Sequence, residues 1–177
     1  TSANNVIIWS GAARDPEIPA SETRTVKSIT IEANRTLTMG AGSTLEVYGS
    51  LADNNGTASW NNEGTFVSGT GTVAFKRNNA TIAGTTQFYN ISNVADCSLI
   101  LLNGSVTSVS GSFTNNGVIN SSYNGPSTFI YNGGDQTVQA NENSNYHHLT
   151  LSGTGTKTIQ SSNLVIKGDL TLSAAID

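Results

Sequence analysis

The sequence predicts an all-β chain that coils on itself as a β-solenoid. Short triplets, Ile-Thr-Ile at 29–31, Leu-Thr-Met at 37–39 and Leu-Glu-Val at 45–47, place apolar side chains on one face and a polar one on the other. They recur about every eight residues, too closely for a helix or a crossover to fit between them. Turn residues at 34–35 and 40–42 separate the triplets. A chain that repeatedly makes short strands and bends in one sense closes into a coil.

The composition agrees with an all-β fold. Of the 177 residues only 11% are charged, and roughly half are Asn, Thr, Ser or Gly, which favour turns and solvated strand faces over helices. The net charge of −4 is scattered, so we predict no nucleic-acid partner. No apolar run approaches the roughly 20 residues of a membrane helix, so no membrane insertion is expected. The single cysteine, Cys97, excludes an internal disulfide and is predicted to be a small buried side chain.

Residues 1–25 predict an N-terminal cap segment. Two of the three prolines lie here, and the apolar run 6–9 ends in Trp9. The first coil of a solenoid has an exposed strand edge and an open apolar end, which a non-repeating segment is suited to cover. We therefore expect Trp9 to be largely buried against the first coil; an extended linker is the alternative.

Residues 26–177 predict β-helix repeats in units of about 60 residues, truncated at the C-terminus. A pentapeptide centred on Gly49 returns around Gly111 and Gly168, each time with Val or Ile two residues before the glycine and an apolar residue two after it. We expect these glycines at equivalent corners of the coil, with a positive φ or a close backbone approach. Shared parity predicts an inward-facing apolar set in the first unit: Ile29, Ile31, Leu37, Met39, Leu45, Val47 and Leu51.

The pattern is still that of a repeat in progress where the sequence stops, so we expect the natural protein to continue beyond Asp177. The coil that contains Leu170 and Leu172 is then expected to be the least protected part of the fold. An open terminal coil exposes strand edges and apolar core, which predicts end-to-end self-association of isolated fragments.

The chain resembles the large repetitive surface proteins of Bacteroidetes. Residues 28–57 follow that family's pattern of Ile-Thr-Ile, Thr-Leu-Thr and Leu-x-Val-x-Gly phrases, with Ala-Asn at 33–34 where the family has Ala-Gly. Residues 88–92 and 146–151 are similar to its Phe-Tyr-Asn-Leu-Thr-Ile-Ser phrase. The resemblance implies a right-handed parallel β-helix, export to the cell surface, and adhesive or structural work. It supplies no catalytic residues.

The residues favour a non-enzymatic protein without a cofactor. Polysaccharide lyases and hydrolases also occur on parallel β-helices, but they need clustered carboxylates or a base beside a calcium site, and the 12 acidic residues here are spread singly. The pair His147 and His148 predicts no metal site, because adjacent strand residues point to opposite faces. Thr-x-Thr pairs are too irregularly spaced to predict an ice-binding lattice.

Aromatic residues supply the candidate ligand-binding positions. Exposed rings stack on sugars, and the candidates in this sequence are Trp60, Tyr48, Tyr89 and Tyr146. A role in core or turn packing is the alternative for each of them. The sequence thus predicts an extended structural or adhesive module of a secreted or surface-anchored bacterial protein, with surface glycans or other cell-surface components as partners. A carbohydrate-binding β-helix is the second hypothesis, and a polysaccharide lyase or hydrolase the third.

Overall fold

The computed structural model describes residues 4–50, 58–121, 125–140, 144–161, 163–173 and 175–176, and within them the chain is built from short β-strands without a helix. In chain order the strands are β1 (Asn5–Ile8), β2 (Glu17–Ile18), β3 (Thr23–Val26), β4 (Ser28–Ile31), β5 (Thr36–Met39), β6 (Thr44–Val47), β7 (Trp60–Asn62), β8 (Thr65–Val67), β9 (Thr72–Phe75), β10 (Ala80–Phe88), β11 (Asn90–Asn93), β12 (Ser98–Leu101), β13 (Val106–Val109), β14 (Phe113–Asn115), β15 (Val118–Asn120), β16 (Thr128–Tyr131), β17 (Gln136–Val138), β18 (His148–Leu151), β19 (Thr156–Ile159), β20 (Leu170–Leu172) and β21 (Ala175–Ile176). The strand pairings are parallel, and the strands stack in about seven coils, which confirms the predicted parallel β-solenoid.

The coils present three faces, which follow one another along the chain. The first face holds β1, β4, β7, the beginning of β10, β12 and β15. The second face holds β2, β5 and β8, and then the end of β10, β13, β16, β18 and β20. The third face holds β3, β6, β9, β11 and β14, and then β17, β19 and β21. A membrane-crossing helix, which needs a long apolar stretch, is not found among the described residues.

Strand β10 turns a corner without breaking, because Gly84 lies in its middle. Residues before this glycine pair with β7 and β12 on the first face, and residues after it pair with β13 on the second. Gly84 has a φ of +78°, and a Cβ atom there would lie 2.0 Å from the carbonyl oxygen of Asn62. Only glycine fits both the backbone conformation and the space.

The interior is filled by the inward-facing side chains of each strand. The predicted set Ile29, Ile31, Leu37, Met39, Leu45 and Val47 is buried, which confirms its shared parity; Leu51 lies outside the described residues. In the next coils Trp60 packs edge-on against Phe66, with 4.8 Å between ring centroids, and against Phe88 at 5.0 Å. The core is therefore a continuous column of stacked side chains.

The three glycines of the repeated pentapeptide lie at three different corners, so the prediction of equivalence is wrong. Gly49 follows β6 and leads from the third face to the first, whereas Gly111 lies between β13 on the second face and β14 on the third. Gly168 lies between Ile166, which pairs with Tyr146, and β20 on the second face. The pentapeptide encodes a local strand, glycine and strand arrangement that any corner can use.

Large apolar side chains are exposed at both ends of the solenoid. Residues 5–26 form a coil whose strands pair with those of the second coil. Trp9 is 59% exposed, so its predicted burial is wrong: Ile8 takes the inward position at the end of β1, and Trp9 leaves the strand. Leu170 and Leu172 are 47% and 54% exposed, in line with a weakly protected last coil.

Candidate functional site

The third face of the solenoid is split between β14 and β17, and the split forms a cleft. Its first five strands end at β14, and a separate ladder begins at β17. The same two coils stay joined on the second face, where β13 pairs with β16. The cleft has a volume of about 310 Å³ and is lined by residues 111–114 on one side and by residues 135–137 and Gln139 on the other.

Backbone groups of both strands point into the cleft. On β14, the carbonyl of Ser112 accepts from the N–H of Ile91 at 2.9 Å, so the alternation of a parallel ladder turns the N–H and C=O of Phe113 towards the cleft. On β17, the carbonyl of Val138 accepts from the Gln160 N–H at 3.0 Å, which turns the N–H and C=O of Thr137 to the opposite side. The cleft thus lies between two strand edges.

Two glutamine side chains bridge the cleft at its ends. The Gln136 Nε2 donates to the carbonyl of Val109 at 2.9 Å and to that of Gly111 at 2.8 Å. The Gln139 Oε1 accepts from the N–H of Asn115 at 3.3 Å. A glutamine amide carries the same donor and acceptor groups as a peptide unit, so these side chains take the place that the backbone of a neighbouring strand takes elsewhere.

Two buried tyrosines hold the end of β17 from inside the coil. The hydroxyl groups of Tyr131 and Tyr146 lie 3.0 Å apart. The Tyr146 hydroxyl donates to the Gln139 carbonyl at 2.8 Å, and the Gln139 N–H donates to the Tyr131 oxygen at 3.0 Å. Burial raises the pKa of both hydroxyls above its ordinary value, so they remain neutral donors at physiological pH.

A buried lysine fixes the corner that leads into β17. The Lys157 Nζ donates to the carbonyls of Gly133 at 3.1 Å, Gly134 at 2.7 Å and Thr154 at 3.2 Å. Burial lowers the pKa of Lys157 from its ordinary value, and the carboxylate of Asp135 opposes that change. The three carbonyls stabilise the ammonium and tie two consecutive coils together.

The aromatic residues that the sequence proposes for ligand binding are not brought together. Trp60 and Tyr146 occupy inward strand positions and are 0% and 1% exposed, so neither ring can stack on a ligand that approaches from solvent. The Trp60 Nε1 donates instead to the Thr86 hydroxyl at 2.9 Å. Tyr48 is 40% exposed and follows β6, whereas Tyr89 is half-buried between β10 and β11, at the other corner of the third face.

The histidine pair and the cysteine differ from their predicted placement. The rings of His147 and His148 contact each other, with centroids 4.6 Å apart, because His147 lies in the corner before β18 and His148 is the first residue of that strand. The His148 Nδ1 lies 3.1 Å from the Asp169 Oδ2. In the described part of the chain no cluster of three metal-ligating side chains is present. Cys97 is half-buried in the turn before β12 rather than buried.

Sequence reasoning missed the glutamines of the cleft. A signal for one of them was present: Gln136 and Val138 share parity in a short strand, so an amide stands at an inward position beside an apolar one. Comparisons with models of protein families, with curated proteins and with solved structures give no match.

Proposed function

We propose that the chain is a non-enzymatic, extended structural or adhesive module of a secreted or surface-anchored bacterial protein. The observation that carries this proposal is the stacking of parallel coils around a filled interior, since such a column is stiff and each coil is held by its neighbours. At about 4.8 Å per coil, seven coils give a rod roughly 30 Å long.

The outer surface supports a structural role. On the third face Thr23, Thr44 and Thr72 stand in one register, and Asn90 continues the row. Threonine suits a half-buried pleated surface, so this row gives the ladder a regular polar outer side. Among the residues that line the cleft, Asp135 is the one carboxylate, whereas glycoside hydrolysis uses a pair.

Carbohydrate binding is the second candidate, and one surface cluster favours it. The Tyr48 ring is exposed on the third face, and its hydroxyl lies 3.4 Å from Glu46 Oε2. Lys76 Nζ lies 3.2 Å from Glu46 Oε1. An exposed ring beside paired polar groups is the arrangement that stacks on a sugar and binds its hydroxyls.

Two measurements on the purified chain and its source cells test these proposals. Immunolabelling of intact cells should detect the chain at the surface, and labelling only after lysis would contradict a surface module. A glycan array should retain no glycan if the role is purely structural. A retained glycan that is lost with Tyr48→Ala but kept with Tyr89→Ala would favour the carbohydrate-binding alternative at the Tyr48 cluster. Cleavage of a glycan would contradict a non-enzymatic role.

A further inference from the structure

We propose that the cleft between β14 and β17 binds an extended peptide segment of a partner protein, which completes the third face as an added strand. Addition of a strand to a sheet edge uses main-chain hydrogen bonds for affinity and alternate side chains for specificity. Here two edges face one another, so one inserted segment meets a ladder partner on each side.

Among the described residues, the backbone groups that the two edges direct into the cleft match the two sides of a peptide. Phe113 offers an N–H and a C=O from β14, and Thr137 offers the same pair from β17. In an extended segment successive residues direct their backbone groups to opposite sides. In a parallel ladder the Phe113 N–H and C=O therefore bond to the two partner residues on either side of the one opposite, and the residue between those two directs its own groups to the Thr137 edge.

The inward-facing side chains of the third face indicate which side chains the inserted peptide segment should carry. On the third face one inward row runs through Val73, Ile91 and Phe113, and the other ends in Asn93 and Asn115. A strand that continues these rows has an apolar residue beside the first and a small polar or amide residue beside the second. Strands β11 and β14 both follow this rule, with an apolar residue, a hydroxyl residue and then Asn.

The cleft suits a peptide better than a sugar. Its volume of about 310 Å³ lies at the small end of ligand sites and fits a few residues of extended chain. Phe113 is the aromatic residue among those that line it and is only 3% exposed, so its ring offers little surface for sugar stacking. The Gln136 and Gln139 amides close the two ends, which limits the segment to a short strand.

The test uses the whole chain and synthetic peptides. The probes are acetylated and amidated hexapeptides: one with the sequence of residues 89–94, and a set that varies its Ile over Val, Leu and Phe and its second Asn over Ser and Thr. We expect at least one peptide to shift the amide resonances of Phe113 and Thr137 and to slow their hydrogen exchange. The same peptide with N-methyl groups on alternate residues should lose binding, because it lacks the donors for one edge.

A matched pair of variants separates an added strand from other modes of binding. Thr137→Pro removes the N–H that faces the cleft, and we expect it to weaken peptide binding about tenfold, the effect of one lost hydrogen bond with its unpaired partner. Thr137→Ser keeps the N–H and should bind like the parent chain.

Four results would overturn the proposal. The first is equal peptide binding by Thr137→Pro and the parent chain. The second is that no peptide at millimolar concentration shifts either amide resonance. The third is that oligosaccharides produce the same shifts as peptides. The fourth is protection of both amides by a concentration-dependent dimer of this chain, which would assign the cleft to a second copy.

Discussion

The coils built from β4 to β9 and those built from β13 to β19 fill the same interior with different chemistry. In the first region the inward rows of the third face are apolar, as with Leu45 and Val73, and the ladder is continuous. In the second region the interior contains Asn115, Gln136 and the hydroxyl of Tyr131, and the third face is split.

In the second region a buried amide lies where the ladder is interrupted. An apolar side chain needs no hydrogen-bond partner from the backbone, and neighbouring strands in the first region bond directly to each other. A buried amide must be hydrogen-bonded, and Gln136 meets that need with the carbonyls of Val109 and Gly111. Those side-chain contacts then stand where strand-to-strand bonds stand elsewhere.

The largest expected effect is a cavity in the apolar region. Trp60→Ala removes a ring that is 0% exposed and packs on Phe66 and Phe88, so we expect the free energy of unfolding to fall by about 3–5 kcal/mol. Trp60→Phe keeps a ring in place and should cost less than half as much. Urea unfolding of the three proteins measures both values. A loss below 1 kcal/mol for Trp60→Ala would mean that this region is not the closely packed one.

The strands and the column of the core could be predicted from the sequence, because they rest on local alternation and turn residues, as at 29–31 and 45–47. The corners could not, since the phrase around Gly49 and Gly111 serves any corner equally. The cleft depends on the pairing of residues many positions apart, such as Gln139 with Asn115. A pattern that repeats every few residues does not predict which strands of successive coils are hydrogen-bonded to each other.

The next effect tests the polar region with almost no change in volume. Tyr146→Phe keeps the ring but removes the hydroxyl that bonds to Tyr131 and donates to the Gln139 carbonyl, both of which are buried. We expect the free energy of unfolding to fall by about 1–3 kcal/mol, the cost of buried groups left without a partner. Exchange of the amides in β17 should also accelerate. Unchanged stability would show that the hydroxyl network does not hold this region together.

Alkaline pH should lower the free energy of unfolding through the two buried tyrosines of the second region, and by a smaller amount. Burial raises the pKa of Tyr131 and Tyr146 above the ordinary 10.0, so above that pH the unfolded chain loses these protons first. The unfolded state then binds fewer protons than the folded state. The contribution of the two tyrosines to the free energy of unfolding is therefore fully present below pH 10 and falls as pH rises beyond it. Urea unfolding between pH 8 and 11 measures the slope. In the double variant Tyr131→Phe and Tyr146→Phe the slope should be shallower, and parallel curves would contradict this origin.

The smallest expected effect is that of Thr137→Pro, because the N–H that it removes lies on the side of β17 without a ladder partner among the described residues. Thr114 and Thr137 are both exposed threonines on strands that border the cleft, but the backbone of Thr114 faces β11 and that of Thr137 faces the cleft. Proline is tolerated in a strand only where its missing N–H has no ladder partner. We therefore expect Thr137→Pro to lower the free energy of unfolding by less than about 1 kcal/mol and Thr114→Pro by about 1–3 kcal/mol, which thermal and urea unfolding resolve. Equal losses would mean that β17 makes backbone hydrogen bonds on both of its edges. That result would contradict the contrast between the continuous ladder of the first region and the split ladder of the second.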